Sequence, residues 1–178
     1  NGRLASLEAL QQAALNPDQG AGEWLREQHL QDLPRLADGL RVAPGWELAV
    51  ETVLGADLQA VLLDDFATLD LSSLAQGELR LLAPAKAAAT VAGSLLEMVE
   101  SAHDLSPWLA RVRPVDSLEQ ALGARAGLAV DESLISRDGY WVGRHFLRVR
   151  RAGKAGDGVL VRARELESLQ VRRTELEA

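Results

Sequence analysis

Val42-Ala43-Pro44-Gly45-Trp46-Glu47-Leu48-Ala49-Val50-Glu51-Thr52-Val53-Leu54-Gly55, followed by Leu58-Gln59-Ala60-Val61-Leu62-Leu63-Asp64-Asp65, decides the fold. Pro44 suits the first turn of a helix, where its missing N–H is not needed. Trp46, Ala49, Val50, Val53 and Leu54 recur at three and four residues and form one apolar face. Gly55 stands where a left-handed C-cap belongs. Leu58–Leu63 is a nearly continuous apolar run, which reads as a buried strand ended by Asp64-Asp65. Gly39–Val42 is a short strand candidate just upstream. The order strand, helix, strand predicts a mixed α/β fold.

Downstream, Leu79–Ala83 reads as a second strand stopped by Pro84, and an alanine-rich segment runs to Gly93. Ser94–His103 predicts a helix with Leu95, Leu96 and Val99 on one face, and Ser106-Pro107 a further helix start. Arg111–Val115 is a strand whose Pro114 suggests a sheet edge. Asp116-Ser117-Leu118-Glu119 resembles a capping box, and Gly123 or Gly127 ends that helix. Leu128–Val130 reads as a strand. Ser133–Ser136 and Tyr140–Val142 flank Arg137-Asp138-Gly139, a hairpin signal. Phe146, Leu147 and Val149 continue as strand, Gly153–Gly158 is a loop, and a last helix begins near Val159. Upstream, Asn16–Gly22 is a breaker cluster, and Glu23–Asp38 reads as irregular with short helical turns. A loose echo of strand then helix after Leu63 and after Val115 suggests two small lobes.

Both ends are helical. Leu4, Leu7, Leu10 and Ala14 recur at helical spacing, and Leu166, Leu169, Arg173 and Leu176 fall on a–d spacing among charged residues. Helices this short are marginal alone. One reading pairs the two ends as stubs of a longer antiparallel coiled coil. Two ordinary terminal amphipathic helices fit the residues equally well.

Composition narrows the class. The chain has 178 residues, 47% hydrophobic and 25% charged, which is the balance of an ordinary globular protein. No run of eighteen apolar residues suggests a membrane span. Zero cysteines exclude disulfides, thiolate metal sites and cysteine nucleophiles, and fit a reducing cytoplasm. The net charge of −7 argues against nucleic-acid binding taken globally. Its distribution argues otherwise: from Arg144 to Arg164 there are seven Lys/Arg and one acid, Asp157.

Catalytic signals are thin. His29, His103 and His145 lie in three separate segments without metal-ligand spacing. Asp64-Asp65 could serve a metal or acid–base role, although a carboxylate pair at a strand end more often caps a turn. Ser72-Ser73 lacks a nucleophile-elbow context. Gly153-Lys154-Ala155-Gly156-Asp157-Gly158 lacks the spacing of a phosphate loop, and no Gly-x-Gly-x-x-Gly follows a strand. The basic run is the best functional feature. Arg144, Phe146, Arg148 and Arg150 share a parity, so a straight strand would present them on one face. Arg151 and Lys154 extend the strip. Such a strip suits backbone phosphates, while the bland alternative is a solvated face.

The segments Leu36–Leu40, Val42–Gly55 and Leu58–Asp65, with Pro114–Leu122 and the return from Asp138 to Glu167, resemble the hinge domain of bacterial SMC (condensin-type) chromosome-organising ATPases. The Trp46-Glu47-x-Ala49-Val50-Glu51 helix followed by Leu54-Gly55 carries most of the resemblance, which spans essentially the whole chain. It implies a two-lobed α/β hinge flanked by coiled-coil ends: residues 1–16 an outgoing stub, 17–90 lobe I, 91–158 lobe II and 159–178 a returning stub. It implies a homodimer meeting at Gly143, Phe146, Leu147 and Val149, and weak, sequence-indifferent DNA contact through Arg144, Arg148, Arg150, Arg151 and Lys154. It implies no cofactor, metal, membrane or small-molecule substrate, with the ATPase elsewhere in the full protein and the whole associated with the cytoplasmic nucleoid. The sequence departs from the family in one place: Gly143 stands at the first of two expected glycine pairs, but Leu147, Arg148 and Val149 stand near the second. Larger side chains would then build the interface. The alternatives are a dimerising scaffold outside this family, or a small metal-dependent enzyme using Asp64 and Asp65.

Overall fold

The computed structural model describes residues 2–15, 19–151 and 158–177. Six helices and eight short strands appear among them: α1 (Gly2–Leu15), α2 (Gln19–Glu27), β1 (Arg41–Val42), α3 (Glu47–Leu54), β2 (Val61–Leu62), β3 (Leu81–Leu82), β4 (Val99–Glu100), α4 (Ser106–Leu109), β5 (Val112–Val115), α5 (Leu118–Ala124), β6 (Ser133–Ser136), β7 (Tyr140–Gly143), β8 (Leu147–Val149) and α6 (Val159–Glu177). They divide into two compact units, each discontinuous in sequence. One contains residues 1–38, 56–84 and 163–178, the other 39–55 and 85–162. The segment Gly39–Gly55 therefore packs with the later part of the chain, where the contiguous division at residue 90 put it with the earlier part.

The first unit is built on Trp24, Leu25 and Val61, with Leu30, Leu33, Leu63, Leu69, Leu74, Leu79 and Leu81 packed around them. Burial of this apolar surface is the main stabilising force. The buried Trp24 indole donates to the Asp70 carbonyl at 2.9 Å, so its N–H is not left unsatisfied. The helix α2 takes in Gln19–Gly22 of the expected breaker cluster, whose residues 16–18 lie outside the described residues, because Ala21, Trp24 and Leu25 bury at i, i+3 and i+4. That burial outweighs the ~1 kcal/mol that each helical glycine costs. Gly20 also has a positive role: a Cβ there would lie 2.2 Å from the Gln76 carbonyl oxygen. The strands β2 and β3 are parallel, Val61 opposite Leu81 and Leu62 opposite Leu82. The strand expected over Leu58–Leu63 is shorter than its apolar run, since Gly55–Gln59 forms a 3-10 turn with Leu58 buried. On α1, Leu4, Leu7 and Gln11 are buried while Leu10 is exposed, so the apolar seam is rotated from the expected one. The Arg3 guanidinium meets the Glu165 carboxylate at 3.0 Å and joins α1 to α6.

The second unit centres on a four-stranded sheet in the order β5-β6-β7-β8. The strands β5 and β6 are parallel and joined through α5, and the other pairs are antiparallel. Ser117 caps α5 as expected, accepting from the Gln120 N–H at 3.1 Å while Gln120 accepts from the Asp116 N–H. Ala121 of α5 packs with Val115, Leu128, Leu134 and Val142. Pro114 lies on the edge strand β5, where its missing donor is harmless. The helix α3 packs against β7 and α4. It begins at Glu47 with Trp46 as its N-cap, and Gly55 closes it at a φ of 54°.

Two expected elements differ. Ser94–His103 is not a helix: a 3-10 turn over Leu95–Met98 gives way to β4, which pairs with β1 (Val42 opposite Val99). The three apolar positions were too few to hold a helix against that pairing. Leu128–Val130 is not a strand either. Leu128 is buried in the core, Val130 is 76% exposed, and the strand is formed by Ser133–Ser136 beside β5.

Candidate functional site

The hairpin β6–β7 turns on Gly139, whose φ is 85°. A Cβ at that position would lie 2.2 Å from the Arg150 carbonyl oxygen, so glycine is required both by conformation and by the close pass of the chain after β8. The Arg150 N–H closes the arrangement by donating to the Gly139 carbonyl at 2.9 Å. The strand β8 then lies beside β7, with Trp141 opposite Arg148 and Val142 opposite Leu147. No described strand lies beyond β8.

Directly opposite residues share a face of an antiparallel pair. Leu147 and Val149 therefore project on the side of Val142, yet they are 50% and 49% exposed where Val142 is fully buried. Phe146, Trp141 and Arg148 gather on the other side. The Trp141 and Phe146 rings meet edge to face at 5.2 Å. The Arg148 guanidinium lies 5.1 Å from the Trp141 ring and 5.3 Å from the Phe146 ring. The Trp141 indole donates to the Ser133 hydroxyl at 2.8 Å, which anchors the ring.

The expected one-faced row of arginines is broken. The Gly143 N–H donates to the Phe146 carbonyl, which closes a turn between β7 and β8. Arg144 and His145 sit in that turn, outside the strand parity. The Arg144 carbonyl accepts from the Arg125 guanidinium at 2.8 Å. Arg151 donates to the Tyr140 hydroxyl at 2.6 Å and stacks 4.8 Å from its ring. The Arg150 guanidinium lies 3.9 Å from the Glu51 carboxylate. Lys154 lies outside the described residues. Arg148, Arg150 and Arg151 are thus gathered at one sheet edge, each exposed and each with a partner in its own chain.

Glu51 is the residue that sequence reasoning passed over. It belongs to the buried side of α3, with Glu47 one turn before it. Burial pushes its carboxyl above the usual carboxylate range; the Leu160 N–H, Arg150 and Arg162 pull the other way, while Glu47 adds to the rise. A pair of acids on the apolar face of a helix was the signal that could have found it.

Asp64 and Asp65 are exposed, and Asp65 accepts from the Ala67 N–H at 3.1 Å, as a turn-capping carboxylate does. They line neither of two clefts, of 180 and 210 Å³, formed by described residues. No group of three or more His, Asp or Glu that could hold a metal occurs among the described residues. No described helix is long and apolar enough to cross a membrane.

The architecture is a mixed α/β domain with helices at both ends of the chain and an exposed strand edge. The model of the SMC protein flexible hinge domain matches residues 30–125, more than half of the sequence, and the chain belongs to that family. It is 39% identical over 174 residues to the chromosome partition protein Smc of Coxiella burnetii and 33% identical over 184 residues to that of Methylococcus capsulatus. These matches take in 93% and 99% of the chain but only 15% and 16% of the two relatives, so the chain spans about a sixth of their length. Its fold is similar to that of the Geobacillus stearothermophilus SMC hinge domain, solved as an asymmetric dimer. That comparison has a TM-score of 0.64 at 24% identity and covers 99% of this chain and 81% of the other.

Proposed function

We propose that this hinge domain joins two copies of its chain edge to edge through β8, and that Gly143, Phe146, Leu147 and Val149 contribute to the contact. The carrying observation is the exposure of Leu147 and Val149 on the outermost strand of the sheet. An uncovered apolar edge is a pairing surface that isolated domains avoid. The Geobacillus neighbour, solved as an asymmetric dimer, supports pairing of two copies. In the full-length protein, residues 1–16 and 159–178 would lead into the two halves of a coiled-coil arm. This part of the chain performs no catalysis in this reading and serves a chromosome-partition protein at the nucleoid. Light scattering at tens of micromolar tests it: twice the chain mass is expected, and a monomer overturns it.

DNA contact is the second component. Arg144, Arg148, Arg150, Arg151 and Lys154 would engage phosphates without reading sequence. The partners that Arg148, Arg150 and Arg151 already have favour weak binding, because each must be shared with or given up to a phosphate. An anisotropy titration with a short oligonucleotide in low salt tests this component separately. Absence of binding leaves a dimerising module only.

A further inference from the structure

The first backbone N–H groups of any α-helix lack partners within the helix, and a side chain at the N-cap commonly accepts from one of them. The N-cap position of α6 is Gly158, which has no side chain to offer. The helix closes its first internal bond from the Arg162 N–H to the Gly158 carbonyl at 2.9 Å. Its Leu160 N–H is instead taken by the Glu51 carboxylate, which comes from α3, 109 residues earlier.

The surroundings are arranged for this one contact. The Glu51 side chain is 3% exposed, and a buried carboxylate needs compensation. Compensation comes from every side: the partial positive charge of the α6 N-terminus, the Arg150 guanidinium that follows β8, and Arg162 from the first turn of α6. Glu47, one turn earlier on α3, is the opposing charge. Gly158 leaves the room. A Cβ at that position would stand 2.8 Å from Glu51 Oε1 and 3.0 Å from Oε2. A helix start with an ordinary Ser or Asp cap would need none of this.

We propose that Glu51 is a positioning residue that caps α6 from α3 and thereby fixes the first turn of this helix within the unit formed by residues 39–55 and 85–162. Gly158 is the residue that admits the carboxylate, and Arg150 is the countercharge. The start of the last helix is then set by a side chain of α3 and not by one at its own N-cap.

Hydrogen exchange of the folded chain tests this, read at the Leu160 amide against the Ile135 and Val142 amides of the sheet. Glu51→Gln keeps the volume and an acceptor oxygen but loses the charge-assisted bond, so Leu160 protection should fall several-fold while the sheet amides hold. Gly158→Ala leaves Glu51 in place but displaces its carboxylate, and should produce the same selective loss. A second readout is the Leu160 amide proton shift, followed against pH by NMR. It should titrate with the Glu51 carboxyl in the parent and stay flat in Glu51→Gln. Unchanged Leu160 protection in both variants overturns the proposal. So does an equal loss at Leu160, Ile135 and Val142, which would mean that Glu51 only holds the unit together.

Discussion

The Phe146 ring lies directly over the Cα of Gly143: a Cβ at residue 143 would stand 2.1 Å from Phe146 Cε1. The same ring makes the edge-on contact with Trp141 and one of the two aromatic faces beside Arg148. The glycine is thus explained within one chain, by an aromatic ring that needs its surface. Gly143→Ala should swing Phe146 out, costing about 1–3 kcal/mol as overpacking does. Urea denaturation measures the cost, and an unchanged midpoint with an unchanged slope would contradict the geometry.

Leu147→Glu and Val149→Glu each place a carboxylate on the exposed apolar edge of β8. Both chains should fold normally, because these positions are half in solvent in the single chain. Association should weaken sharply, because a charge buried unpaired between two copies is costly. Light scattering across a concentration series reads the outcome. A variant that dimerises as well as the parent moves the interface away from β8.

Exchanging Arg148, Arg150, Arg151 and Lys154 together for Glu should abolish oligonucleotide binding. In the parent, engagement of about four phosphates gives a log–log salt slope of about −3 to −4. Anisotropy titrations at several salt concentrations measure the slope. Arg148→Gln alone should make it less steep by about one unit. Binding that survives the quadruple change would put the contact elsewhere.

Glu51 gives the stability a defined pH dependence. Its carboxyl is raised above the ordinary range in the folded state, chiefly by burial. Between the unfolded and the folded value the native chain therefore holds more protons than the unfolded one. The stability tied to this group is fully present below the unfolded value of ~4.3 and is lost as the pH rises through the folded one. Glu51→Gln has no such titration. Its stability relative to the parent should increase from about pH 4 upward, measured as the difference of two denaturation series. A difference that stays flat contradicts this.

Asp65→Asn and Asp64→Asn should leave oligomeric mass unchanged. The cost should be at most ~1 kcal/mol, from the weakened turn at Ala67. Tight divalent-ion binding that disappears with the pair would instead support a metal-dependent role.

The sequence by itself determined the elements whose signals are local. Trp46 to Gly55 announced α3, Asp116-Ser117-Leu118-Glu119 the start of α5, Pro114 the edge strand, and Arg137-Asp138-Gly139 the hairpin. Each rests on steric or hydrogen-bonding preferences carried within a few residues, so no distant partner was needed to read them. It also placed the arginines near one strand. Only the tertiary structure decided which neighbours those residues acquire. The helix α2 forms across glycines because Trp24 and Leu25 are buried among distant leucines. Ser94–His103 yields β4 because β1, more than fifty residues earlier, lies in register with it. Arg150 finds Glu51, and Glu51 finds Leu160, through contacts whose spacing along the chain is unrelated to any helical or strand period. Burial and long-range pairing are properties of the assembled core, and they supply the free energy that overrides local preference.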